Sequence, residues 1–501
     1  MKILSASQTR EADQYTIIKE PISSIQLMER AARAATQAIE QIIMDFPSTP
    51  VLVFCGMGNN GGDGLAIARM LHEQQKPVQV FLLKHREQGS PDFETNLKRA
   101  QELGIAISEW QPDATTPELP HNAIVLDAIL GSGLQRPLEG FLAQAVQVLN
   151  GLSAKVKIAI DIPTGLFADS NAQNDLRKAM AVHYTVTFQH PKRSLLNAFC
   201  ANVAGEVRVV DIGLSREFYS STESRDHYAK AEEIKAMYSP RSTNAHKGTL
   251  GHALLIAGSE ETPGASLLAA EALLQSGCGL LTANVPTTAI TALLTRLPEA
   301  MLQPRSGAEI PHLGKYQAIV CGPGLGTEKG EAQLLKKLIQ DANQPLVLDA
   351  DALNLLAENP TWLSFFRVPV ILTPHPGEWQ RLSGQKWEEN YPDVLRAFAI
   401  KHGVFVILKN KVSLLATPSG SLFYSQFGSP ALATAGSGDV LAGILGSVLA
   451  QGYSPLQACL IGLYLHGTAG KNAAREYAQE SVIASDIVQG LSGAFRELGE
   501  G

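Results

Sequence analysis

At 501 residues the chain is longer than one ordinary hydrophobic core organises, and its 45% apolar composition is enough for two such cores. A formal net charge of -7 gives no basic footprint, so nucleic acid is not an expected partner. Five cysteines, Cys55, Cys200, Cys278, Cys321 and Cys459, are odd in number and lack metal-ligand spacing, which speaks for a reducing cytoplasm and against a disulfide framework.

In chain order, the opening MKILSASQTREADQYT meets charge before any apolar stretch, and no later run approaches the ~20 apolar residues of a membrane span. Neither export nor a membrane is expected. Residues 28–44 (MERAARAATQAIEQIIM) repeat apolar positions every three or four residues and predict a helix. Short apolar strands follow at 51–55, 78–83, 124–129 and 157–162, separated by helix-length polar stretches, with further strands at 184–188 and 207–213. That alternation predicts an α/β domain on a buried, mostly parallel sheet. The polar segment SREFYSSTESRDHY has neither period, which places a linker at 216–228. A second α/β series then runs through HALLIAG, AIVCGPG, PLVLDAD, PVILTPH and VFVILK to a long helix from Val440. No internal repeat relates the halves.

The first chemistry-bearing segment, Gly56 to Gly64, satisfies G-x-G-x-x-G between a strand and a helix. An ordinary NAD fingerprint expects an acid about 20 positions on, where this chain has Lys84-His85-Arg86. The run NNGGDG instead offers several backbone N–H groups and two amides to phosphate or ribose oxygens. Its glycine density raises the entropy cost of folding, which points to a ligand more than to a bare turn.

CGMGNNGGDGLAIARML resembles the signature of the NAD(P)H-hydrate epimerase family, with Met57 in place of the usual Pro. LDAILGSGLQRPLEG and AIDIPTGLFAD follow in the family's order, and the resemblance covers residues 1–215. It implies a Rossmann-like three-layer αβα domain, with Asn59, Asn60, Gly61, Gly62, Asp63, Gly131, Ser132, Gly133, Leu134, Gln135, Arg136, Pro137 and Asp161 touching substrate. It also implies Asn60, Asp127 and Thr164 as K+ ligands, oxygen-bearing side chains that suit a weakly held hard cation. Asp161, at the end of an apolar strand, is the expected general acid/base; capping a turn is its alternative role.

In the second half, ATAGSGDVLAGILGSVLA puts a glycine turn before a helix with Asp439 at its start. This is similar to the signature of ADP-dependent NAD(P)H-hydrate dehydratases and of ribokinase-like enzymes, with Ser437 for the usual Thr. A helix N-terminus forms an anion hole there, and the adjacent Asp can take a proton from the accepting hydroxyl. Across residues 229–501 the resemblance implies a ribokinase-like αβα domain. Its expected substrate contacts are Ala253, Gly324 or Gly326, His375 and Asp439, and its ADP contacts are Lys409, Asn410, Lys411, Val412, Ser413 and Gly438. Asp349 and Asp351 resemble a metal pair, yet turn formation and helix capping explain them as well.

The two resemblances together imply a bifunctional repair enzyme. R and S hydrates of NADH and NADPH (NADHX, NADPHX) are interconverted in the first domain, and the S form is dehydrated in the second with ADP as co-substrate. K+ belongs to the first domain and the second leaves room for Mg2+; the expected setting is a cytoplasmic homo-oligomer. A ribokinase-type kinase with a dinucleotide-binding regulator shares the GSGD turn but leaves NNGGDG unexplained. A non-catalytic dinucleotide sensor needs neither acid.

Overall fold

The computed structural model describes residues 1–112, 115 and 117–500. The chain divides into two compact units, Met1–Tyr228 with Glu388–Asn390, and Ala229–Trp387 with Tyr391–Gly501. In the first unit, helices α1 (Ala6–Lys19) and α2 (Ser24–Ile43) precede the strands β1 (Val51–Cys55), β2 (Val78–Leu83), β3 (Ala106–Trp110), β4 (Ala123–Ala128), β5 (Ala154–Ile160), β6 (Tyr184–Phe188) and β7 (Glu206–Val210). The sheet order is β3-β2-β1-β4-β5-β6-β7, and every pairing is parallel. Alternate residues of β1 pack on opposite faces. Val51, Val53 and Cys55 join Ile39 of α2 and Leu65 of α3 (Asn59–Glu73), while Leu52 and Phe54 meet Val146 and Leu149 of the helix Gly140–Gly151. Apolar residues at both parities therefore fix a three-layer αβα unit.

The order reverses between β1 and β4, so their carboxyl ends diverge and leave the crevice in which open α/β sheets bind ligands. Residues 216–228 are not a structureless linker: they form a helix, Arg216–Ser221, and a strand, β8 (Asp226–Tyr228), grouped with the first unit. Ser215 caps that helix by accepting from the Phe218 amide, a local interaction that residue periodicity does not register.

The second unit's strands are β9 (His252–Ile256), β10 (Leu280–Val285), β11 (Met301–Pro304), β12 (Ala318–Cys321), β13 (Leu346–Leu348), β14 (Val370–Leu372), β15 (Phe405–Leu408), β16 (Ser413–Ala416) and β17 (Leu422–Ser425). They run β11-β10-β9-β12-β13-β14-β15-β16-β17, parallel as far as β15 and antiparallel beyond it. Ala253, Leu255 and Ala257 pack against the long helices Ser437–Ala450 and Pro455–Glu476. Here the reversal falls between β9 and β12, and the loops that follow β9, β12, β13, β14 and β15 share one edge.

Two candidate active sites at the carboxyl edges of the sheets

At the first reversal, a cavity of about 630 Å³ is lined by Asn59, Asn60 and Asp63 after β1, Gly131 to Leu134 after β4, Asp161 after β5, and Gln189 and Lys192 after β6. Thr9, Arg10, Asp13, Gln14 and Ile17 of α1 form a further wall. Asn59 to Asp63 are the first turn of α3, with Gly58 as N-cap. A Cβ on Gly61 would stand 1.7 Å from the Gly56 carbonyl oxygen, and one on Gly56 would stand 2.0 Å from that of Ile129. Gly56 and Gly61 therefore also have a packing cause of their own, beside the ligand role expected of the loop. Gly61 and Gly62 are buried in that packing, and Gln135, Arg136 and Pro137 sit exposed beyond the cavity wall.

Asp161 is the best-determined acid of the cavity. Its φ is +66°, a left-handed conformation that costs free energy for a residue with a Cβ and clusters at functional sites. Its amide donates to the Val186 carbonyl at 2.8 Å, and Lys192 Nζ donates to its Oδ1 as well as to Thr187 Oγ1 at 2.9 Å. Burial pushes the Asp161 pKa up, but the Lys192 charge and hydrogen bond outweigh it and the net shift is downward. Asp13 moves the other way, to about 6, through burial and then the charge of Asp161, against the pull of Lys192. Asp63 is raised well above the usual carboxylate range by burial and by the charges of Asp161 and Asp13. Sequence reasoning missed Asp13 and Lys192 altogether.

Behind this cavity, Asp127 is fully buried. Its Oδ1 accepts from Thr164 Oγ1 at 2.6 Å and the Ile129 amide at 3.2 Å, and its Oδ2 accepts from the Thr164 amide at 2.7 Å. Burial raises its pKa to about 6 against those hydrogen bonds. Asn60, packed against Gly131, has a buried Nδ2 with no hydrogen-bond partner. Exchanging its amide O and N turns that orphan into an acceptor, the polarity a cation needs.

In the second unit, Lys409 follows directly on β15 and donates to Asp349 Oδ1 at 2.8 Å, with Glu378 Oε2 3.9 Å away. Burial opposes its charge, but Asp349 and Glu378 prevail and its pKa is raised. A Cβ on Gly438 would lie 3.1 Å from Lys409 Nζ and 3.5 Å from Asp349 Oδ2, so the lysine sits against the start of helix Ser437–Ala450. Asp439, one residue on, is raised to about 7 by burial and then by the charge of Asp349, against Lys409. Ser437 Oγ lies 3.1 Å from Nε2 of His466, which burial lowers to about 4 and keeps neutral. Asp349, whose neighbour Ala350 has φ +48°, thus anchors the site lysine, a part the sequence left undecided.

His375 caps the helix Pro376–Ser383, its Nδ1 accepting from the Gly377 amide at 3.0 Å while Glu378 Oε2 accepts from the His375 amide at 2.8 Å. Burial and then the Lys409 charge lower its pKa, which favours a neutral ring, and Nε2 lies 3.6 Å from Glu378 Oε1. Of the two turn glycines, Gly324 is packed on Thr262 and Ala265, whereas a Cβ on Gly326 would meet nothing within 3.4 Å. Asn410 to Val412 form the turn into β16, where Ser413 Oγ donates to the Asn410 carbonyl at 3.4 Å. Ala253 does not join this site. It is the second residue of β9, has no exposed surface and packs in the core, because a central strand reaches ligand only past its carboxyl end. Among the described residues no three His, Cys, Asp or Glu side chains are grouped to hold a metal, and no helix is long and apolar enough to cross a membrane.

Comparison with known proteins gives a family match in each half of the chain. The family described as NAD(P)H-hydrate dehydratase matches residues 253–492, and the YjeF-related protein N-terminus matches residues 24–194. A crystal structure of the ADP/ATP-dependent NAD(P)H-hydrate dehydratase from Bacillus subtilis, co-crystallised with ATP/Mg2+, is 30% identical with a TM-score of 0.50, over 54% of this chain and 98% of that one. The bifunctional NAD(P)H-hydrate repair enzyme Nnr of Escherichia coli is 31% identical over 93% of this chain and 88% of its own length. The protein of the same name from Moorella thermoacetica is 33% identical over 100% of this chain and 98% of its own length, and the chain belongs to the family of bifunctional NAD(P)H-hydrate repair enzymes.

Proposed function

We propose that the first cavity epimerises hydrated NADH and NADPH, with Asp161 as proton-transfer group, and that the second site dehydrates the S hydrate with ADP, with Asp439 as base. The observation that carries this reading is a fixed lysine beside each expected acid past the strand ends: Lys192 on Asp161 itself, and Lys409 on Asp349 against Gly438, the residue before Asp439. The substrate-facing residues proposed for the first site are Asn59, Asn60, Asp63 and Gly131 to Leu134, which all line its cavity. Those proposed for the second are Gly326, His375 and Asp439, with Lys409 to Ser413 and Gly438 beside the nucleotide.

In the second site the ring hydroxyl attacks the β-phosphorus of ADP while Asp439 accepts its proton, and AMP leaves. The lysine beside Gly438 and the amides at the helix start stand where the transferring phosphoryl group gains charge. Phosphate is a better leaving group than hydroxide. The ring nitrogen expels it, and loss of a proton from the adjacent carbon restores the reduced ring. Mg2+ here would be held by the nucleotide phosphates with one or two of the carboxylates beside Asp439. K+ fits the oxygen-bearing side chains of Asn60, Asp127 and Thr164: Asp127 is a fully buried carboxylate, and Asn60 carries a buried amide whose nitrogen has no hydrogen-bond partner. Five free, buried cysteines suit a reducing compartment.

The test is repair itself. Purified protein is given an R/S mixture of hydrated NADH with ADP, and the near-ultraviolet absorbance of reduced nicotinamide is followed together with AMP. Full conversion of both epimers is expected. Conversion of the S half alone removes the epimerase, and absorbance recovery without AMP removes the ADP mechanism.

A further inference from the structure

Helix α1 lies outside the 24–194 segment that matches the family, yet it builds one wall of the first cavity. Its orientation is fixed from three sides. Ser5 and Gln8 close a capping box at its start, Thr16 Oγ1 accepts from the Ser215 amide at 2.9 Å, and Thr9 Oγ1 lies 3.2 Å from His190 Nε2. The last contact ties α1 to the turn that carries Lys192, the clamp on Asp161. Ala12 and Thr16 are buried, so the neighbouring position Asp13 is turned to the cavity, and its carboxyl group makes no hydrogen bond or ion pair among the described residues. The carboxyl group is thus left free to meet whatever occupies the cavity.

Moving a hydroxyl from one face of a ring carbon to the other requires a proton donor and a proton acceptor. The C–O bond breaks as the ring nitrogen's lone pair forms C=N, and the departing oxygen takes a proton and leaves as water. Water then adds to the other face, the C=N pair returns to nitrogen, and the surplus proton goes to the second group. Two carboxyl groups that share one proton satisfy this balance with no co-reactant. We propose that Asp13 is the second acid–base residue of the epimerase cavity, exchanging a proton with the ring hydroxyl in concert with Asp161. Asp63 is the other candidate. Burial and the charges of Asp161 and Asp13 raise it well above the usual carboxylate range, whereas Asp13, on the α1 wall of the cavity and raised to about 6, stands where a group both gives and takes.

This inference rests on the epimerase reading, so the experiment begins with the full-length wild type, whose conversion of pure R hydrate is followed by chromatographic separation of R and S. A wild-type rate equal to the spontaneous one overturns both. With an active wild type, Asp13→Asn is expected to lower kcat for epimerisation by ~10²-fold or more, with KM within about twofold and S-hydrate dehydration unchanged. Asp13→Glu, which keeps the carboxyl but displaces it, is expected to lose about tenfold. A kcat within about threefold of wild type in Asp13→Asn, a loss carried by KM alone, or equal losses in the Asn and Glu variants overturns the role of Asp13 while leaving the epimerase reading standing. Should the Asn variant fail to fold, a wild-type kcat in Asp13→Glu is the overturning result.

Discussion

The two sites use the same scaffold and the same pair of residue types, a lysine and a cluster of acids past the ends of parallel strands, and arrive at opposite electrostatics. In the first, Lys192 contacts the reactive acid itself, and Asp161 stays ionised despite burial. In the second, Lys409 contacts Asp349, a neighbour of the reactive acid, and Asp439 is left near neutrality at about 7. The ammonium touches the reactive carboxylate in the first site and only its neighbour in the second, and the reactive acid's pKa moves down in one and up in the other. The acid that rests ionised is clamped directly; the one raised to about 7 is set beside a clamped neighbour.

The sharpest way to break this comparison is to remove each acid's charge in turn. Asp161→Asn should lower epimerisation, and Asp439→Asn should lower AMP formation, each by ~10²- to 10⁴-fold with the other activity intact. ADP binding by calorimetry separates the causes in the second variant: retained affinity with lost turnover marks a base, and joint loss marks a cap of the helix Ser437–Ala450. A variant that damages both activities would dissolve the division of labour.

The lysines sharpen the contrast through pH. A base works when ionised, so wild-type kcat/KM for dehydration should climb about tenfold per unit up to pH ~7 and level above it, given Asp349, Asp351, Glu378 and Lys409 around Asp439. Asp161 is ionised throughout that range. Asp13, facing Asp161 and Lys192, loses its proton above about 6, so epimerisation should fall where dehydration rises. Lys409→Met removes the one group that lowers Asp439 and should move the dehydration limb to higher pH. Lys192→Met strands a buried carboxylate, which should cost about 3–5 kcal/mol of stability and give epimerisation an acid limb the wild type lacks. Parallel pH profiles for the two wild-type activities would contradict the scheme.

Asp161, Asp439 and Lys409 were legible in the sequence because each lies in a contiguous segment, AIDIPTGLFAD, GSGD or LKNKVSLL, at the end of a strand or the start of a helix. Lys192 and Asp13 were not, because their meaning is tertiary. Lys192 acts only because β6 lies beside β5, and Asp13 only because α1 is pinned to the following turn. The central strands were legible as apolar runs, while the edge strands β3 and β11, exposed at alternate or end positions, carry too little apolar sequence to announce themselves. Ala253 misled for a related reason: a motif match locates a segment, and only the strand's end shows which of its residues reaches ligand.

The smallest expected effect separates the sites by cation. Only the first has, behind its cavity, a fully buried carboxylate without an ion pair among the described residues and, at the adjacent strand end, an amide with an orphaned nitrogen. An ion held there binds the folded unit and not the unfolded chain, so it stabilises by mass action. At roughly tenfold its Kd the gain is about 1.4 kcal/mol. Calorimetric melting in KCl and in tetramethylammonium chloride, at equal ionic strength, removes general screening from the comparison. The transition of the first unit should rise with potassium, and that of the second should not. Thr164→Val deletes the hydroxyl that donates to Asp127 at 2.6 Å and one oxygen a cation would use, so the intrinsic stability should drop and the potassium increment should vanish with it. Equal melting in both salts would leave Asn60, Asp127 and Thr164 as a hydrogen-bonded strand terminus and nothing more.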